Sequence, residues 1–238
     1  MQFLHGDTHT LSGLAADLIA GAAQRLLATQ ERVVLAFCGG RSAAGVFAAL
    51  AKAELPWARI HIFMADERLV PRDHPDSNFR LVAEHLATPL AAGDVLPEEN
   101  VHPFASEASD ARAAVAAYSA ALVRAGGKHD IALLSVGEDG HVASLFPRGS
   151  VLDDAPMHLL VTNAPKPPPV RMTMSRALLL RTHTAVLLCI GESKRDAYKA
   201  LVDPNVDWRD CPAELAAQLP EAYVLSDFDL RTNSCTTH

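Results

Sequence analysis

Two glycine-framed tracts carry the residues best suited to chemistry. In Gly137-Glu138-Asp139-Gly140-His141, two glycines flank two carboxylates and deliver a histidine to the start of the next segment. An imidazole, whose ordinary pKa is about 6.5, suits a general base at neutral pH. A neighbouring carboxylate, Glu138 or Asp139, would fix its tautomer. In Gly39-Gly40-Arg41-Ser42 the glycines permit a tight turn into a helical stretch, whose first N–H groups favour an anion. Ser42 is expected to cap that helix or to donate to a phosphate oxygen. Arg171 offers a two-pronged guanidinium and Lys194 a point charge, and both suit phosphate. Lys194 falls in the first turn of an expected helix, where an anionic ligand would offset the unfavourable dipole.

The other motifs give metals and cofactors no foothold. Of the ten remaining histidines only His5 and His9 stand at His-x-x-x-His spacing, a single pair, and all ten read as surface or satisfied core groups. Cys38, Cys189, Cys211 and Cys235 form no Cys-x-x-Cys pair, so neither zinc nor a redox dithiol is indicated. The first glycine tract matches neither a P-loop nor the dinucleotide fingerprint, since no Lys follows Gly45 and the third glycine is misplaced. ATP and NAD are therefore not expected, and no metal or organic cofactor is.

The elements that must position these tracts alternate in type. Residues 32–38, 59–65, 130–136, 158–162 and 184–190 read as strands, with a sixth at 222–225. Several are continuously apolar, as strands covered on both faces must be. Helical stretches at 11–28, 42–53, 77–86, 108–125, 193–201 and 213–219 lie between them. The pattern predicts an α/β fold, a doubly wound and mostly parallel sheet flanked by helices. Residues 39–42, 66–68, 137–141, 166–171 and 191–194 then follow successive strands. Open parallel sheets bind ligands at the carboxyl ends of their strands, so one edge is expected to gather all five tracts. A single domain over 1–238 is expected, with residues 232–238 fraying.

A formal charge of -7 argues against a nucleic-acid partner, though a local pocket can still be basic. No basic leader precedes an apolar run, and no 18-residue apolar span occurs, so a soluble cytoplasmic protein without a membrane partner is expected. The irregularly spaced cysteines fit a reducing compartment. The chain is expected to be a monomer or a homodimer.

Asp66-Glu67-Arg68-Leu69-Val70-Pro71, continuing through His74-Pro75-Asp76-Ser77-Asn78, resembles a signature of the 6-phosphogluconolactonases, within the family they share with glucosamine-6-phosphate isomerases. The tract from Gly137 through His141 to Pro147 resembles that family's second hallmark, and Lys166-Pro167-Pro168 followed by Arg171-Met172-Thr173 its third. The motifs keep the family's order between Gly39 and Lys194. The resemblance implies hydrolysis of a sugar phosphate lactone in the oxidative pentose phosphate pathway, without metal. It makes His141 the base that activates water, oriented by Asp139 or Glu138, and Asp66 an active-site carboxylate. Gly39, Gly40, Ser42, Arg171 and Lys194 would hold the phosphate, with Arg68 near the substrate.

Three departures from the pattern stand out. Arg41-Ser42-Ala43 replaces Ser-Thr-Pro, Val142 stands where Thr is common, and Ala65 where Gly is common. Arg41 is expected to be mobile in the empty enzyme and drawn inward by the phosphate. The resemblance also admits two other activities. One is the isomerase and deaminase chemistry on glucosamine 6-phosphate, with Asp66 shuttling protons, which ammonia release would reveal. The other is a non-catalytic sugar-phosphate sensor, although no spare segment suits a DNA-binding module.

Overall fold

Every side chain of Val33–Phe37 and of Thr184–Cys189 is buried, and these runs form interior strands of a six-stranded sheet. The computed structural model describes residues 1–149 and 155–228. Cys235 and the expected fraying of residues 232–238 lie outside them. In chain order the strands are β1 (Gln2–His5), β2 (Val33–Phe37), β3 (Ile60–Met64), β4 (Asp66–Arg68) and β5 (Ile131–Ser135). β6 (His158–Val161), β7 (Arg171–Met174), β8 (Thr184–Cys189) and β9 (Glu221–Ser226) follow. The helices are α1 (Thr8–Leu27), α2 (Ala43–Leu50), α3 (Asn78–Val82), α4 (Thr88–Ala92), α5 (Ala111–Ala125), α6 (Arg176–Leu179) and α7 (Arg195–Val202).

The large sheet is parallel throughout, in the order β1-β9-β8-β5-β2-β3. From β2 the chain moves outward to β3, whereas β5 leads the other way through β8 to β9. The order therefore switches between β2 and β5, and a crevice opens at their carboxyl ends, as the sequence predicts.

A second, antiparallel sheet, β4-β7-β6, corrects the expectation of one parallel edge. Asp66–Arg68 and the start of Arg171–Met174 are paired strands here, with Asp66 opposite Thr173 and Arg68 opposite Arg171. The run at 158–162 likewise joins this small sheet. Ala65 is the joint between the two sheets. Its N–H donates to the carbonyl of Phe37 (2.8 Å), and its carbonyl accepts from Met174 N–H (2.7 Å).

Helix expectations hold with local corrections. The stretch at 77–86 starts as α3 but continues through a π-turn, Ala83–Ala87, into α4. The stretch at 213–219 is a 3-10 run, Pro212–Gln218. Among the described residues no helix is long and apolar enough to cross a membrane. The histidines contain a surprise. His129 is fully buried with neither ring nitrogen bonded among the described residues, and its ring centre lies 5.4 Å from that of buried His158. His158 uses Nδ1 on Ser119 and leaves Nε2 unpartnered among those residues. They are core groups, but not satisfied ones.

Candidate active site

The crevice between β2 and β5 holds a cleft of about 230 Å³. Gly39 and Gly40 enter it from β2, Gly137 and His141 from the loop after β5. Asp66, Arg68 and Arg171 enter from the small sheet, and Lys194 from the turn after β8.

His141 is held by Asp139. Asp139 Oδ1 lies 2.5 Å from His141 Nδ1, which places the imidazole proton on Nδ1 and leaves Nε2 as the basic nitrogen. Burial pushes the Asp139 carboxyl up, but the hydrogen bond and charge of His141 outweigh it and bring it to about 2. The ring packs on Phe146 at 4.6 Å, and its side chain is only 15% exposed, so His141 is more enclosed than a solvent-facing loop would leave it. Gly137 makes this possible. A Cβ there would collide with His141 Nδ1 and with the Asp139 carboxylate. The loop is closed by Gly137 N–H donating to the His141 carbonyl at 2.7 Å.

Of the two carboxylates considered as orienters, Glu138 takes no part. Its Oε2 meets Lys166 Nζ at 3.2 Å.

Asp66 is buried beside the histidine in a fixed pose. Ser144 Oγ donates to its Oδ2 (2.8 Å), and Asn78 Nδ2 donates to its Oδ1 (3.0 Å) and to its backbone carbonyl (2.9 Å). Gly39 leaves room for Asn78, because a Cβ would strike its side-chain oxygen. Ser144 and Asn78 were not singled out from the sequence. Both sit in the quoted motifs; for Ser144, flanked by Val142, Ala143, Leu145 and Phe146, polarity among apolar neighbours was the available signal, and Asn78 among polar neighbours offered none.

Glu67 was also missed. Its buried carboxylate accepts from the backbone N–H groups of Arg68 (2.7 Å), Asn78 (2.8 Å) and Phe79 (2.7 Å), and from Ser77 Oγ (3.2 Å). Burial pushes the carboxyl up, and those N–H groups pull it back. Glu67 thus fastens the start of α3 beneath the cleft. Glu67→Ala should cost about 2–4 kcal/mol of unfolding free energy, because buried donors lose their acceptor. Urea titration measures this, and a loss under 1 kcal/mol would show that water replaces the carboxylate.

Arg171 departs most from expectation. It is a buried strand residue rather than a loop cation. Nε donates to the Pro168 carbonyl (2.9 Å), and Nη2 to those of Lys166 (2.8 Å) and Pro167 (3.3 Å). Much of its donor set therefore shapes the proline segment, which contains a cis Pro167–Pro168 peptide. Arg68 donates to the Asp76 carbonyl at 2.7 Å, while its buried Nε has no partner among the described residues. Burial pushes the Lys194 ammonium down, and Glu138 pulls it back up.

Arg41 and Ser42 line a neighbouring hollow, which shares Gly40, Ser135 and Lys194 with the cleft. Arg41 is exposed. Ser42 does not cap α2 with its hydroxyl, because its backbone is already helical (φ −72°, ψ −19°) and lacks cap geometry. The N–H groups of Gly40, Arg41 and Ser42 find no acceptor among the described residues. Gly40 turns the chain at φ +114°, which favours glycine.

Residues 6–224 match the model of the glucosamine-6-phosphate isomerases/6-phosphogluconolactonase family. A 6-phosphogluconolactonase of Synechocystis is 35% identical, with 85% of each chain covered. One of Pseudomonas aeruginosa is 36% identical, with 76% of each covered. The crystal structure of a 6-phosphogluconolactonase from Thermotoga maritima superposes with a TM-score of 0.82 at 25% identity, covering 94% of this chain and 97% of that one. The chain belongs to the glucosamine-6-phosphate isomerase/6-phosphogluconolactonase family.

Proposed function

We propose that this protein hydrolyses 6-phosphoglucono-δ-lactone to 6-phosphogluconate, as its relatives in Synechocystis and Pseudomonas are named for doing. One observation carries the reading: an imidazole fixed by Asp139, with Nε2 free of protein partners among the described residues, beside Asp66 in a cation-walled cleft. Nε2 takes a proton from water as the water oxygen attacks the lactone carbonyl. The tetrahedral intermediate collapses by breaking the ring C–O bond, and the imidazolium returns the proton to the departing ring oxygen. Asp66, pinned by Ser144 and Asn78, accepts a sugar hydroxyl. Lys194 and the N–H groups at Gly40 to Ser42 hold the phosphate. A δ-lactone is a reactive ester, so one base and positioning suffice without metal or organic cofactor. This reading takes residues 1–238 as one domain acting in the cytoplasm.

The test is to generate the lactone in situ and compare its disappearance with and without protein. Loss at the spontaneous rate would refute the proposal, and ammonia release from glucosamine 6-phosphate would replace it with deaminase chemistry.

Lys194 and Arg171 should separate cleanly in this assay. Lys194→Ala should raise KM for the phosphorylated lactone about 10- to 100-fold, the worth of a charge-assisted contact, with little effect on unphosphorylated gluconolactone. Arg171→Ala should raise KM and also lower the melting temperature, because three loop carbonyls lose their donor. A normal melting temperature in Arg171→Ala would remove it from the proline segment's support.

A further inference from the structure

Lys166, on the segment between β6 and β7, reaches across the cleft mouth to Glu138 on the loop after β5, 3.2 Å away. The side chains are 44% and 54% exposed. The hollow containing Glu138 and the cleft containing Lys166 share Gly40, Ser135 and Lys194, so this carboxylate stands at their boundary. Lys166 does most to hold it below the usual carboxylate range, and the Ser193 hydroxyl and Lys194 ammonium act in the same direction. Two ammonium groups and a hydroxyl around one carboxylate form the donor set of a phosphate site. The cleft wall itself sets Arg68, Lys166, Arg171 and Lys194 against Asp66 alone.

We propose that Lys166 is a further ligand for the substrate's phosphate and that Glu138 is its built-in competitor, occupying those donors until a dianion displaces it. The inference rests on reading the cleft as a sugar phosphate site. A half-exposed ion pair holds weakly, so a phosphate with nearly two charges and three acceptor oxygens outcompetes a single carboxylate. An uncharged sugar cannot, and it meets a mouth still bridged by Lys166 and Glu138. Return of Glu138 to Lys166 then favours departure of the product.

Calorimetric titration with inorganic phosphate tests the exchange directly. Glu138→Gln should bind phosphate about two- to fivefold more tightly than the wild type, the worth of an exposed pair. Lys166→Ala should bind it about tenfold more weakly, a charge-assisted contact discounted for screening. Unchanged or weaker binding by Glu138→Gln would overturn the competitor role, and unchanged binding by Lys166→Ala the ligand role. Lactone turnover by the wild type is measured alongside. If it stays at background while both variants shift as stated, the proposed hydrolysis falls and the exchange stands.

Discussion

Replacing His141 by Ala should lower kcat about 10²–10⁴-fold, the usual contribution of a positioned general base. KM should change far less, because the phosphate is held by other loops. Asp139→Asn sharpens the test. An amide can turn its NH₂ toward Nδ1, which would move the ring proton to Nε2 and abolish the base without removing the ring. A loss of comparable size is therefore expected from that change. With Asp139 held at about 2, acid inactivation above pH 4 cannot come from loss of its charge. Gly137→Ala should reproduce the defect by displacing both partners at once. Steady-state kinetics on the folded variants decide the matter. Near-normal kcat in His141→Ala would make Asp66 the next base to test.

Acidification from pH 7 to pH 5 should lower the unfolding free energy by about 2–4 kcal/mol, through His129 and His158. Burial holds His129 well below the ordinary histidine value, and it lowers His158 to about 3. Both are therefore neutral in the fold and take up protons when the chain unfolds. Their contribution is fully present above pH 6.5 and is lost progressively as pH falls from there toward 3. Each fully shifted group loses about 1.4 kcal/mol per pH unit, and the range allows for coupling between the rings. Glu67, raised by burial, works in the opposite direction within the carboxylate range. Urea midpoints at pH 7.5, 6 and 5 measure the slope. Equal midpoints at pH 7.5 and 5, or an unaltered slope in a His129→Leu, His158→Leu double variant, would sink this account.

Most of the large sheet was legible because β2, β5 and β8 are largely apolar runs, whereas the edge strand β1, Gln2–His5, was not expected and the run at 158–162 proved to belong to the small sheet. The small sheet was not. β4 reads Asp-Glu-Arg and shows no alternation, while the Arg-Met-Thr-Met alternation of β7 spans only four residues directly after a proline-rich segment. Their pairing comes from tertiary contact through Ala65 and Met174. Arg171 was read as a loop cation for the same reason. His141, Asp66 and Lys194 were found because glycines and strand ends bracket them. Apart from that of Arg68, the N–H groups that Glu67 serves lie eleven and twelve residues away, a distance at which no local spacing betrays a cap. The choice between Glu138 and Asp139 depended on which way a tight turn throws each side chain, and only the backbone decides that.

The joint at Ala65 divides the molecule's inheritance as well as its sheets. Asp139 and His141 hang from β5 in the large sheet, in a space so close that Gly137 tolerates no added carbon. Arg68, Lys166 and Arg171, which line the cleft, belong to the small sheet and its connecting segment. Mutational drift in the second group can rewrite which sugar phosphate is accepted while leaving the first untouched. A laboratory search for new substrates would therefore do best to randomise the small sheet's cleft-facing positions and hold the glycine floor constant.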